Sequence, residues 1–363
     1  MIYLLLVLTL ILTIRLFLSQ SKFGKAPAGA RLEKIKKSNQ YRGGKFQNTN
    51  ITPDLTEGAT FFSVLVEFLF KKNKRRQPKS KIPSNKIDLL HLDPKKDILI
   101  WFGHSSYFIQ LDGKKFLIDP VLSGSASPVK FTTPSFEGAD VYQPGDFPSI
   151  DYLFISHDHW DHLDHETVIA LKPKIDKVIC GLGTAAHLEY WGYESNRIIE
   201  KDWNEEIELK DGFKVYITPA RHFSGRSIKR NQVLWVSFVL QTPSLKIYLG
   251  ADSGYDSHFN EIGDTHGPFD LAILECGQYD KSWKYIHMMP EEVVQASLAL
   301  KTKKTMPVHW GKFALSNHAW DDSIIRVVNA AKKNSLPLIT PMIGEEVNLK
   351  EERVFSEWWK TID

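Results

Sequence analysis

Two cysteines in 363 residues, Cys180 and Cys276, establish neither a disulfide framework nor a redox compartment, and both read as small buried hydrophobes. Neither lies near the N-terminus, so a lipoprotein attachment cysteine is absent. Excess charge of one sign is missing too. The 46 Lys and Arg against 43 Asp and Glu leave a formal net charge of +3, which gives no whole-chain case for a nucleic-acid partner. No internal repeat or low-complexity tract is apparent, and the chain has few long hydrophobic runs. With 42% hydrophobic residues it can still bury one large core.

Histidine is also sparse, at 13 residues, which makes its placement informative. His157, His159, Asp161 and His162 fall in the run Ser156-His157-Asp158-His159-Trp160-Asp161-His162, directly after the apolar stretch Tyr152-Leu153-Phe154-Ile155. A strand ending in such a turn aims neutral imidazoles and a carboxylate into one small volume, and these are zinc-ligand types. Three more ligand-capable residues follow other short β-branched or aromatic runs: His222 after Phe213–Thr218, Asp252 after Lys246–Gly250, and His309 after Lys304–Val308. A lone histidine at a strand end is usually a solvated or capping residue. Three such positions together with the cluster describe one site at one sheet edge.

This constellation, in its motifs and their order, resembles the metallo-β-lactamase fold. The resemblance implies a two-zinc site: His157, His159 and His222 for one ion, Asp161, His162 and His309 for the second, and Asp252 bridging both. Seven ligands are too many for one tetrahedral zinc, and a pair of zinc ions suits phosphoester hydrolysis. Further stretches narrow the match. Trp101-Phe102-Gly103-His104-Ser105-Ser106, Asp119-Pro120-Val121, Gly267–Ala272, His287-Met288-Met289-Pro290-Glu291-Glu292 and His309–Leu315 resemble the N-acyl-phosphatidylethanolamine phospholipase D group. The resemblance covers about residues 95–345 and implies a membrane-associated phosphodiesterase releasing N-acylethanolamine and phosphatidic acid. Asp161 and His287 are then the candidate catalytic residues, His287 contacting the phosphate or protonating the leaving alkoxide. Asp119 reads either as a turn cap or as an acceptor fixing a zinc ligand's ring, and His104 either as an outer or substrate-facing group or as a buried hydrogen-bonded histidine. Ser123–Ile150 departs from the group and is expected to shape the substrate site.

Met1–Leu18 is nearly all apolar, broken by Arg15, with Lys22, Lys25, Arg31, Lys34, Lys36 and Lys37 behind it. We read it as an uncleaved membrane anchor that leaves the catalytic domain cytoplasmic. The alternative is a cleaved signal with a secreted or periplasmic product. Residues 19–94 form an N-terminal extension, in which Phe61–Phe70 is followed at once by Lys71, Lys72, Lys74, Arg75, Arg76, Lys79 and Lys81. That pairing predicts an interfacial element on anionic head groups, against the plainer reading of a docked helix with a solvated tail.

Residues 95–363 are the catalytic domain. Strands are expected at 97–102, 107–111, 115–118, 152–155, 177–180, 214–218, 234–240, 246–249, 271–274 and 305–309. Helices are expected at 165–171, 184–191, 290–300 and 323–333. The fold class is therefore α/β, a four-layer αβ/βα sandwich behind an N-terminal membrane anchor and extension. The expected partners are a phospholipid substrate and a membrane surface, with no nucleic acid and homodimerisation left open. Two other functions stay open: another hydrolase on this scaffold (a lactonase or cyclic phosphodiesterase), or a membrane-bound, metal-containing binding protein.

Overall fold

A strand that is apolar along its whole length can be buried on both faces, and Ile98–Trp101 of the first sheet is apolar and buried at every position. In the computed structural model, which describes residues 1–362, seven strands form this sheet. Their spatial order is Glu346–Asn348, Ile98–Trp101, Tyr107–Leu111, Lys114–Ile118, Ile150–Ile155, Ile175–Gly181 and Ile198–Lys201. Side chains alternate between two environments with the period of the pleat. Leu99, Trp101, Tyr107, Ile109, Phe116 and Phe154 join the core shared with a second sheet. Ile98, Ile100, Phe108, Leu117 and Leu153 join a separate core with Val168, Leu171 and Leu188 of the helices His165–Leu171 and Ala185–Tyr190.

The second sheet has six strands in the order Thr305–Val308, Leu271–Glu275, Lys246–Leu249, Ser237–Gln241, Lys214–Thr218 and Glu206–Glu208. The helices His258–His266, Pro290–Ala299 and Asp322–Lys333 pack with it, burying Phe259, Val293 and Ile324. An edge-to-face pair, Phe154 on Phe238 at 5.0 Å between ring centres, links the facing sheets. The result is a mixed α/β fold of two sheets and flanking helices, as expected. Both cysteines are free and buried.

The expected strand 234–240 begins only at Ser237. Leu234 and Val236 spend their amides elsewhere, on Leu182 O at 2.8 Å and Ser156 O at 3.0 Å, so this segment straps the second sheet to loops of the first.

The N-terminus requires a correction. Met1–Leu18 forms a helix, Ile2–Leu18, of 17 residues with none buried, but no helix of the described residues is long and apolar enough to cross a membrane. At 1.5 Å per residue it falls short of a hydrocarbon core of about 30 Å. It stops because the chain turns at Ser21–Phe23 and buries Phe23 against Trp160, 5.2 Å away. Without a spanning segment, the orientation argument from the flanking lysines lapses. Phe61–Phe70 is a helix, capped by Thr60, whose side chain accepts the Ser63 amide.

Removing the Phe238 ring leaves a cavity at the sheet interface. Phe238→Ala is expected to cost about 3–5 kcal/mol in denaturant unfolding. A loss below about 1 kcal/mol would show that this pair does not join the sheets.

Candidate metal centre

Both sheets end on the same cluster. The first contributes His104 from the turn between Trp101 and Tyr107, and His157, His159, Asp161 and His162 from the loop after Ile155. The second contributes His222, Asp252 and His309 from the loops after Thr218, Leu249 and Val308, with His287 between Glu275 and Pro290. The seven residues expected to bind metal thus come together in two groups, one joined by His104, and a third group of Asp252, His287 and His309 overlaps both.

In the first group His157 Nε2 lies 2.9 Å from His159 Nδ1, and His222 Nε2 lies 3.2 Å from the same nitrogen. Asp252 Oδ2 faces His222 Nε2 at 3.7 Å and His157 Nε2 at 3.9 Å. In the second, His162 Nε2 is 3.6 Å and His309 Nε2 4.0 Å from Asp161 Oδ2. Asp252 touches this group as well, 3.1 Å from His162 Nε2 and 3.3 Å from His309 Nδ1, so its carboxylate stands between the two.

Contacts behind the cluster fix the rings. His162 Nδ1 lies 2.8 Å from Asp119 Oδ2, and the Asp119 carboxylate also accepts the Ser156 amide at 2.8 Å and its hydroxyl at 2.5 Å. His222 Nδ1 donates to Ile286 O at 2.8 Å, and Ser105 Oγ sits 2.9 Å from His309 Nδ1. His104, Asp119 and His309 all have left-handed backbones, with φ of 53°, 40° and 69°. Such residues persist only where surrounding contacts over-determine them. Here the His309 amide donates to His104 O and the His104 amide to Trp310 O, both at 2.9 Å. Gly277 is required where it stands, because a Cβ there would sit 1.6 Å from His309 O.

Burial pushes His157, His222 and His309 well below the ordinary imidazole value and His159 down to about 4. These rings are therefore neutral near pH 7, with lone pairs free for a cation. Burial works against charge on His162 too, but Asp252, Asp161 and Asp119 outweigh it and raise its pKa. Burial would likewise raise Asp161 and Asp252. The imidazoles, His162 foremost, hold both carboxyls well below the usual range instead. Two buried atoms aimed into the cluster, Asp252 Oδ1 and His309 Nε2, lack hydrogen-bond partners. Converging nitrogens, ionised carboxylates and these two atoms fit a metal centre, not a hydrogen-bonded polar core.

A profile described as the beta-lactamase superfamily domain matches residues 114–310. The chain belongs to the beta-lactamase superfamily. Within it the chain is similar to an uncharacterized protein of Mycobacterium tuberculosis, 36% identical over 327 residues, 89% of this chain and 88% of that one. It is also similar to the N-acyl-phosphatidylethanolamine-hydrolyzing phospholipase D 1 of Caenorhabditis elegans, 33% identical over 233 residues, 59% of this chain and 64% of that one. In structure it resembles a metallo hydrolase of Ignicoccus hospitalis, with a TM-score of 0.54 and 20% identity over 70% of this chain and 98% of that one. Superfamily membership and the cluster together make it a metal-dependent hydrolase.

A cavity of about 350 Å³ opens onto the cluster of this beta-lactamase superfamily member. His159, Asp161, His222, Asp252, His287 and His309 line it together with apolar Leu55, Phe61, Val64, Trp283, Ile286 and Leu315 and the paired Asp54 and Arg230. One expectation changes and one pair of readings is resolved. Ser123–Ile150 does not line this cavity. Lys312 draws that segment away, pairing with Asp140 at 2.8 Å and accepting the Phe136 amide on its carbonyl, also at 2.8 Å. Of the two readings of His104, the buried hydrogen-bonded histidine holds, its side chain being wholly buried. Its Nε2 lies 2.9 Å from Asp161 Oδ2, and it falls in the second group of candidate ligands. Sequence reasoning also passed over Glu275, a buried carboxylate 3.4 Å from His287 Nδ1, although an acidic residue closing the run Leu271–Leu274 was a usable signal.

Because Asp252 reaches both groups, Asp252→Ala is expected to lower bound metal to well under half of the wild-type content. Elemental analysis of gel-filtered protein checks this, and unchanged metal content in a folded variant would remove Asp252 from the centre.

Proposed function

We propose that the protein is a dinuclear zinc phosphodiesterase that cleaves N-acyl-phosphatidylethanolamine-type phospholipids to phosphatidic acid and N-acylethanolamine. The observation that carries this reading is the divided lining of the cavity, in which candidate metal ligands and the Asp54–Arg230 ion pair stand beside apolar Leu55, Phe61, Val64, Trp283, Ile286 and Leu315. An amphiphile with a phosphodiester at its polar end fits that division. The printed activity of the Caenorhabditis elegans relative points the same way.

His157, His159 and His222 would hold one zinc, Asp161, His162 and His309 the other, and Asp252 would serve both. When bound, the pair supplies Lewis-acid polarisation of phosphoryl oxygens and a lowered pKa for water. The protein's own groups supply the rest. The apolar lining receives acyl chains and excludes bulk water, which strengthens every charge interaction beside it. His287 lines the cavity beside His222, 5.0 Å between ring centres, and is placed to give a proton to the departing head-group alkoxide. Asp161 orders the second group through His104, His162 and His309.

The cavity wall continues onto an exposed surface. Phe62, Leu65, Leu69 and Phe70 of the Phe61–Phe70 helix stand open to solvent, and Lys71, Lys72 and Lys74 beyond them are exposed. Arg75 and Arg76 are engaged elsewhere, on Asp321 and on the carbonyls of Ala314 and Ser316. We place the protein at a membrane surface through this helix and the apolar helix Ile2–Leu18, lying on the bilayer without crossing it.

Three measurements test these readings. In water enriched in oxygen-18, N-acyl-phosphatidylethanolamine should yield phosphatidic acid carrying the label; label in the alcohol instead places the attack at its carbon, and labelled fatty acid makes the enzyme an acyl hydrolase. His287→Ala should lower this turnover about 10²–10⁴-fold with zinc content intact. Separately, the double variant Phe62→Asp and Phe70→Asp should weaken sedimentation with phosphatidylglycerol vesicles at least about tenfold. Unaltered binding rejects the helix as the contact.

A further inference from the structure

Glu275 ends its strand with its side chain 1% exposed, and among the described residues no Lys or Arg comes within ion-pairing distance of it. Its Oε1 accepts the Met288 amide at 2.8 Å and stands 3.4 Å from His287 Nδ1, while Oε2 has no hydrogen-bond partner. His287 Nδ1 likewise has no closer partner than this carboxylate. A carboxylate buried with so little compensation is costly to keep. Capping one amide does not call for a charge, because a glutamine oxygen does the same.

The surroundings of His287 are equally specific. The ring stacks on His309 at 5.4 Å and 16°, meets His222 edge-on, and lines the cavity. With Nδ1 turned to Glu275, Nε2 is the nitrogen left to meet a ligand.

Resting on the phosphodiesterase reading, we infer that Glu275 is the positioning residue for His287: its carboxylate faces the Nδ1–H of the doubly protonated ring and so holds Nε2–H toward the leaving oxygen. In the step, a water oxygen bonds to phosphorus, the bond from phosphorus to the head-group oxygen breaks, and the Nε2 proton passes to that oxygen. The proton lost by the attacking water restores His287. Glu275 touches neither substrate nor metal and works only through the ring.

The test compares zinc-loaded wild type, Glu275→Gln and Glu275→Asp on phosphodiesters with 4-nitrophenyl, phenyl or ethyl leaving groups. Glutamine keeps the acceptor for Met288 and removes the charge. Expected is a fall in kcat of about 10–100-fold on the ethyl diester, at most severalfold on the 4-nitrophenyl diester whose oxyanion leaves unaided, and little change in KM or zinc content. Aspartate should recover part of the loss. An equal loss across the series, or none, overturns the inference. A wild type that hydrolyses none of the diesters overturns the phosphodiesterase reading and the inference with it. Nitrogen-15 NMR of the metal-free protein gives a readout independent of activity. The His287 Nδ1 should be protonated and hydrogen-bonded in wild type and altered in Glu275→Gln, and an unprotonated Nδ1 in wild type rejects the pairing.

Discussion

Asp161 and Asp252 are carboxylates carried into the interior with imidazoles as their ion-pair partners, and among the described residues no Lys or Arg comes within ion-pairing distance of either. Taking such a charge out of water costs several kcal/mol or more unless a cation is placed against it. A proton shared with His162 offsets part of that cost, and metal ions bound between the imidazoles offset more. The other features of the centre answer this requirement. Burial keeps His157, His159, His222 and His309 neutral, Asp119, Ser105 and Ile286 O engage ring nitrogens of His162, His309 and His222, and the backbone bends where needed to deliver them.

That bending has a price of about 1–3 kcal/mol for each left-handed non-glycine residue. It falls at His104, Asp119 and His309, and each is held from outside its own loop. His104 and His309 are tied together through main-chain bonds that also involve Trp310, and the Asp119 amide donates to Phe154 O. Trp310 is then packed by Trp101, Trp358 and Trp359, so strain at the centre rests on an aromatic layer beneath it.

The legible parts of the chain were those with strong local pattern. Tyr107–Leu111, Lys214–Thr218 and Lys246–Leu249 form strands with the expected bounds, because each is a short β-branched or aromatic run between turn residues. The candidate ligands were legible for the same reason, since each stands just past such a run. Ile198–Lys201 and Glu206–Glu208 were not, as three- and four-residue strands at sheet edges exist through their pairing partners and carry little pattern of their own. Leu234–Val236 looked like strand by composition, yet its amides go to Leu182 and Ser156, partners about 50 and 80 residues away that no local reading supplies. The role of His104, and Glu275 altogether, were hidden by the same kind of distance. Each is defined by a neighbour, Asp161 or His287, brought close only by the fold.

The strap at Leu234–Val236 and the Phe154–Phe238 contact tie the two sheets to one another. The cluster is divided between two sheets, with His104, His157, His159, Asp161 and His162 on one side and His222, Asp252 and His309 on the other. The spacing between the halves is therefore set by how far apart the sheets stand. Close-packed interiors resist compression and pass displacement along. A methyl group gained or lost at the sheet interface then works as a shim, adjusting the separation of the two halves from well outside the cavity. The reactivity of the centre can be tuned by core residues that never meet the substrate.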